Sequence, residues 1–392
     1  MRSRRTGGVV LNQGASIGED SRARNRFSYW LHEKLSSGAP LLDREFDVIV
    51  GHVQHVGKHH LEASTLDGLA ALRERRPRTR MSEIFLDSIL DKHDGRYDYP
   101  SYASHGLLHL LLERHAHPVQ VVRLLVQDII AHETAEPPRW IIAPPDANLV
   151  ARRCRIAART LKELERVSKT GEHVQIDDTS AALIASSVFP VDQWHDEYMF
   201  IRILQSYECV FAVLLTEGSR ALDALQRADP HEAARSIRAA AATIDSAGRL
   251  FTLMATMRRE AFSSFRVYTE GASAIQSRRY KQFELLCGRP EPTRLASEAF
   301  ASVPDVQVQA TGDPATLTSA FLNMPDPASG QRRQVVDAML ELEQAHNRWK
   351  QTHYSLGVRF VGPSRGSGGT SGVEYLDHVR ANRLFWKLEL ED

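Results

Sequence analysis

The sequence predicts an all-α fold, a helical bundle with an additional helical region at its N-terminal end. Apolar residues recur at three- and four-residue spacings over long stretches. No stretch alternates apolar and polar residues convincingly as a half-buried strand does. No internal repeat is present. The first helical pattern spans residues 43–62, with Phe46, Ile49, Val50, Val53 and Val56 on one face. Residues 81–92 repeat it with Ile84, Phe85, Ile89 and Leu90, and residues 104–133 hold two runs divided at His117-Pro118. Residues 148–168 form a basic amphipathic helix around Val150, Ile156, Leu161 and Leu164. Asp177-Asp178-Thr179 caps a short helix to about Ser187, and Phe189-Pro190 ends it. A strongly apolar helix over 195–218 and an alanine-rich one over 230–258 follow. Residues 259–288 read as two short helices joined near Glu270-Gly271, and residues 294–330, rich in Pro, Ser and Thr, as irregular chain. The last long helix covers 331–356 and runs into a glycine-rich loop.

Three segments follow from this pattern: a disordered basic leader over 1–25, a helical region of no evident role over 26–185, and a further helical domain over 186–392. Composition bounds the function. Of 392 residues 42% are hydrophobic and 25% charged, with 49 basic against 49 acidic residues. That balance gives no support to nucleic-acid binding or to an acidic membrane surface. The basic N-terminus has no long apolar run behind it, and no segment is expected to span a membrane. Cys154, Cys209 and Cys287 are odd in number and far apart, as suits reduced thiols in a cytoplasmic protein.

Two features carry chemistry. On the last long helix His346, Trp349 and His353 share a face at i, i+3 and i+7. A histidine there can ligate a metal or haem iron, or it can be a buried structural residue. The loop that follows, Gly366-Ser-Gly-Gly-Thr-Ser-Gly372, has four glycines in seven residues. Its backbone can approach a ligand closely, although a flexible linker has similar composition. In the N-terminal half His52, His55 and His59 lie on one helix face, where solvated or partner-facing roles outweigh a metal site. His105, His109, His115 and His117 carry no assignment.

Three blocks in the second half resemble the tryptophan 2,3-dioxygenase family. Trp349-Lys-Gln-Thr-His353 and the glycine loop, with His353 and Ser367 fourteen residues apart, resemble its C-terminal signature. His195-Asp196-Glu197-Tyr198-Met199-Phe200-Ile201, with Gln205-Ser206-Tyr207-Glu208 in step, resembles its distal helix. Phe262-Ser-Ser-Phe-Arg266 and Ile275-Gln276-Ser277 with Tyr280 resemble a third block. The resemblance implies a bundle enclosing one haem b, with O2 as co-substrate and His353 as axial iron ligand beside Trp349. It implies that Gly368 and Gly369 belong to the cofactor-binding loop. It assigns Arg266 and Ser367 to the head group of an aromatic amino-acid substrate, and Phe200, Leu204 and Phe262 to its ring. A homo-oligomer is implied as well. Leu204 departs from the pattern, since family members acting on tryptophan carry a histidine there that accepts from the indole N–H; leucine cannot. The related indoleamine dioxygenases also lack a distal histidine. Phe262 likewise offers no hydroxyl. The expected activity is cleavage of the indole 2,3-bond of tryptophan or a derivative, with aromatic hydroxylation or non-catalytic haem binding as alternatives. Tyr99-Pro-Ser-Tyr102 resembles a family N-terminal helix but lies far upstream of its expected place, so no role is carried onto it.

Overall fold

The computed structural model describes residues 13–75, 79–91, 99–115, 117–168, 176–268, 276–324, 329–362 and 373–388. Most of these are helical. Among them no strand occurs, only an isolated bridge between Ile142 and Trp194. The N-terminal part comprises α1 (Gln13–Ser37), α2 (Phe46–Val56), α3 (Ala63–Glu74), α4 (Arg80–Leu90), α5 (Tyr99–Tyr102) and α6 (His105–Arg114). Then come α7 (Pro118–Thr134), α8 (Ala147–Ser168), α9 (Asp178–Ala185) and the two central helices α10 (His195–Gln226) and α11 (Pro230–Met254). Next are α12 (Arg259–Arg266), α13 (Arg278–Cys287), α14 (Pro292–Leu295), α15 (Glu298–Ala301), α16 (Pro304–Thr311) and α17 (Leu317–Leu322). The long α18 (Ser329–Phe360) and α19 (Val373–Arg380) complete the fold.

Local chemistry sets the boundaries. Asp229 caps α11 by accepting from the Glu232 amide (3.0 Å), and Pro230 sits where its missing N–H costs nothing. Asp177 caps α9 through the Ser180 amide (2.7 Å). Asp196 and Glu197 lie in the first turn of α10, where carboxylates suit the positive end of the helix dipole. The leader expected over 1–25 is helical from Gln13 onward, and residues 1–12 lie outside the described ones. Residues 294–330, expected as irregular chain, instead fold α15 to α17. Phe300, Val306, Leu317 and Phe321 there bury apolar side chains whose pull outweighs the turn-forming composition.

One hydrophobic core runs from Phe27 in α1 to Leu388, and a small one gathers Leu285, Phe300, Val303, Val306 and Ala310. α11 is its spine: α10 and α18 both pack along it, α8 joins from the side, and α7 packs on α10. α10 and α18 stand farther from each other than from α11. By length and apolar composition α10 could cross a membrane, contrary to the sequence expectation. Its apolar window is 78% buried inside the bundle, and it carries buried Asp196, Glu197, Arg202 and Glu208. It is long and apolar because it is the central core helix.

The N-terminal region docks on the start of α10. Gly57, at φ +85°, ends α2; a side chain there would meet the Val191 carbonyl at 2.9 Å. The turn lets Lys58 N–H and His59 N–H donate to the carbonyls of Pro190 (2.8 Å) and Val191 (3.1 Å). Tyr99 and Tyr102 of α5, both fully buried, donate to Glu208 and Glu197 of α10 (3.1 Å each). The Tyr-x-x-Tyr segment therefore packs directly on the central helix, despite its distance along the chain.

Candidate haem and substrate site

α10 and α18 face each other along two aromatic stripes. On α10 these are Phe200, Leu204, Tyr207 and Phe211, spaced so that all point one way. On α18 they are His346, Trp349, His353 and Phe360. The stripes meet at both ends. At one end Trp349 lies edge-on to Tyr207 and Phe211, with ring centroids 5.9 Å apart in each case. At the other, Phe200 touches Phe262 of α12 (5.8 Å), and Phe262 touches Phe360 (5.4 Å). Between these bridges Leu204 and His353 occupy the middle of their stripes. Tyr207 fixes α10 to α11 by donating to the Ala247 carbonyl (3.0 Å).

His353 differs from a structural histidine. Its recorded contacts are aromatic: Phe251 lies parallel to the ring at 5.5 Å, and Trp349 is tilted at 5.7 Å. Burial among protein atoms lowers its pKa to about 4, so the imidazole is neutral near pH 7. Its surface nevertheless stays partly accessible. The Trp349 indole N–H is buried without a well-formed hydrogen bond. The Tyr207 hydroxyl, which donates to the Ala247 carbonyl, is close enough for the indole to influence its ionisation.

These residues fit a haem. Neutral imidazole is the protonation state that ligates iron, and the flanking Phe251 and Trp349 rings suit an apolar macrocycle. A haem takes its equatorial donors from the porphyrin. A single histidine is therefore enough, although among the described residues no group of three or more His, Cys, Asp or Glu could hold a metal ion.

His346, two turns before His353, is the contrasting case. Its Nε2 meets the Tyr280 hydroxyl at 2.8 Å, it is 1% exposed, and burial holds its pKa well below the usual histidine value. In the N-terminal half His52 stacks on Phe27 (3.8 Å), His55 tilts against Trp140 (5.3 Å) and His59 stacks on Tyr268 (4.0 Å). The three rings point at different partners and do not converge.

On the substrate side, Phe200, Phe262 and Phe265 form one aromatic cluster, with centroids 5.2 to 5.8 Å apart. The Arg266 guanidinium lies 5.8 Å from the Phe262 ring centre, and desolvation lowers its pKa without discharging it. Leu204, 5% exposed, sits one turn from Phe200. The structure thus gathers Phe200, Leu204, Phe262 and Arg266 on one side, and Trp349 with His353 on the other. Ser367, Gly368 and Gly369 lie outside the described residues. Phe251, Phe360 and Tyr102 were missed by the sequence reading; Tyr102 lies 6.4 Å from Phe200. Phe360 follows His353 at i+7 and was within reach of the same periodicity argument.

A recess of about 970 Å3 is lined by Val213 and Glu217 of α10 and by Arg235, Arg238 and Thr243 of α11. Its arginines Arg166, Arg220, Arg235 and Arg238 each pair with a carboxylate, so it offers little net positive field.

The arrangement defines an all-helical protein with a neutral histidine opposite an aromatic wall flanked by arginine. No family model matches the chain. Among known proteins it is similar to the tryptophan 2,3-dioxygenase of Bordetella pertussis, 24% identical over 260 residues, covering 56% of this chain and 90% of that protein. The tryptophan 2,3-dioxygenase of Herpetosiphon aurantiacus is 26% identical over 216 residues, covering 46% and 82%. That of a Polaromonas species is 23% identical over 300 residues, covering 67% and 98%. Over about half of its length the chain is thus similar to several proteins named tryptophan 2,3-dioxygenase, the family that the three motif blocks resemble.

Proposed function

We propose that this chain is a haem-dependent oxygenase of an aromatic amino acid, cleaving the indole 2,3-bond of tryptophan or a derivative. The observation that carries the reading is His353: a neutral, partly accessible imidazole packed between Phe251 and Trp349, in a chain similar to tryptophan 2,3-dioxygenases. His353 would ligate the iron, with Trp349 and Phe251 packed on its ring. Bound haem supplies dioxygen activation. The chain's own residues bind and orient. Arg266 presents a two-donor fork to the substrate carboxylate. Phe200, Phe262 and Leu204 hold the ring and exclude water, so that orientation lowers the barrier. Ser367, Gly368 and Gly369 complete the head-group and cofactor loop in this reading. Leu204 can neither take nor give a proton, so no side chain at that position acts as a base. Cytoplasmic placement and a homo-oligomeric state belong to the same reading.

One observation favours a second reading. Leu204 and Phe262 leave the ring side of the pocket without the polar groups that would hold an indole N–H or a carboxylate. A hydroxylase of tyrosine or a tryptophan derivative, inserting one oxygen, accommodates that apolar wall. The test is purification with added haem, an absorption spectrum, and product mass after aerobic incubation with L-tryptophan and L-tyrosine. Two added oxygens support cleavage and one supports hydroxylation. A Soret band without oxygen uptake leaves a haem-binding protein, and no band at all removes the oxygenase reading.

A further inference from the structure

Asp196 stands in the first turn of α10, fully buried. Its Oδ1 accepts from Arg153 Nη2 (2.8 Å) and Arg258 Nη2 (3.0 Å). Its Oδ2 accepts from the Arg258 backbone N–H (2.8 Å) and Nε (3.2 Å). Arg258 is the residue that opens α12. One carboxylate therefore binds both the side chain and the backbone at the start of that helix.

The position matters because of what lies one turn further on. Phe200 follows Asp196 by four residues on α10, and Phe262 follows Arg258 by four residues on α12. The two rings meet at 5.8 Å. Arg266 is one turn further again, roughly 12 Å from Arg258 along the helix axis. The carboxylate is thus the fixed point from which both walls of the substrate side project.

Asp196 is itself held from the N-terminal half. Arg153 of α8, fully buried, donates to both oxygens of Glu133 on α7 (3.0 and 3.3 Å). It also donates to the hydroxyl (3.0 Å) and carbonyl (3.3 Å) of Thr256, in the turn between α11 and α12. Two arginines face two carboxylates, so the cluster is electrically balanced. A buried network with its charges paired is rigid, and the cost of breaking it keeps it in one geometry.

We propose that Asp196 is a positioning residue, which fixes Arg266 relative to the Phe200 and Leu204 wall, and that Arg153 and Glu133 from the N-terminal half hold it in place. This rests on the substrate reading above. It gives α7 and α8 a purpose: they set the geometry of a pocket whose walls lie elsewhere.

The test is a double-mutant cycle on ligand binding, measured by calorimetry on the full chain purified with haem. The probe is whichever of L-tryptophan and L-tyrosine binds the parent protein, with its decarboxylated counterpart, tryptamine or tyramine, as control. Arg266→Met should weaken the amino acid about 10- to 100-fold. Arg258→Met, at a half-buried site that leaves the Asp196–Arg153 pair intact, should weaken it about 5-fold. The double variant should be no weaker than Arg266→Met alone, because Arg258 acts through Arg266. The decarboxylated probe should bind Arg258→Met like the parent. Arg153→Lys keeps the charge but not the fork, and should reproduce the Arg258→Met pattern. Equal losses for both probes, additive losses in the double variant, or no loss for Arg258→Met would overturn the proposal while leaving the substrate reading intact. If Arg266→Met has no effect, or neither amino acid binds, the substrate reading fails and the positioning role falls with it.

Discussion

Two positions on the inner face of α18 use the same residue type to opposite effect. At His346 the imidazole meets the Tyr280 hydroxyl and is sealed, with Trp349 stacked nearby at 6.1 Å. Two turns away, His353 has aromatic neighbours, no polar contact among those recorded, and partial exposure. Both rings are neutral and share one helix face. What separates them is the neighbour: the Tyr280 hydroxyl of α13 meets His346, whereas the ring contacts of His353 are Phe251 and Trp349. A neutral histidine with no polar partner among the described residues has a nitrogen that can take a ligand.

The largest expected effect breaks the comparison outright. His353→Ala should abolish the bound-haem spectrum, whereas His346→Ala should retain it. In urea denaturation of the haem-free protein the order reverses. His346→Ala should cost about 3 kcal/mol through a cavity and a stranded tyrosine hydroxyl, and His353→Ala less than about 1 kcal/mol. Retention of the Soret band by His353→Ala would remove the axial assignment.

A middle-sized effect concerns acid. Burial lowers the pKa of His353 and His195 to about 4 and of His132 to about 3, and holds that of His346 well below its usual value. The unfolded chain takes up protons near pH 6.5 that the folded chain refuses. Their contribution is therefore complete above pH 6.5 and lost as pH falls toward 4. Between pH 6 and 5 each such ring should add up to about 1.4 kcal/mol per pH unit to the slope of stability. His346→Gln should remove one such increment; an unchanged slope in urea titrations would show that this ring is not buried neutral.

Tyr280→Phe sharpens the contrast at smaller scale. It leaves a buried imidazole nitrogen without its partner and should cost about 1–3 kcal/mol with haem retained. Smallest is Leu204→His, which gives the substrate side an acceptor. It should raise the preference for L-tryptophan over its N1-methyl analogue by about 5-fold in calorimetric titration, the size of one hydrogen bond. No change in that ratio would mean that position 204 does not face the indole nitrogen.

The sequence made the long helices legible because apolar periodicity over twenty or more residues has few alternative explanations. Of the residues that it singled out, Phe200 meets Phe262, Arg266 lies over Phe262, and Trp349 lies beside His353. The short helices between Pro292 and Leu322 were not legible, since a four- to eight-residue helix leaves little periodic signal and depends on tertiary burial. The docking of Tyr99 and Tyr102 was obscured by the intervening α6 to α9, which displace the motif in sequence but not in space. Glu133, Arg153, Asp196 and Arg258 could not be joined from spacing, because four separate elements supply them. Single charged residues on different helices carry no pairing information along a chain.

The alanines of α11 have a consequence for every substitution aimed at this pocket. Ala233, Ala240, Ala241 and Ala247 are buried, small side chains that let a neighbouring helix come close to the spine. The aperture between the two long covers is then set from behind, by methyl groups that need not touch a guest. Enlarging one of them would splay the covers like a thickened bookbinding, and a pocket whose lining was untouched would change its fit.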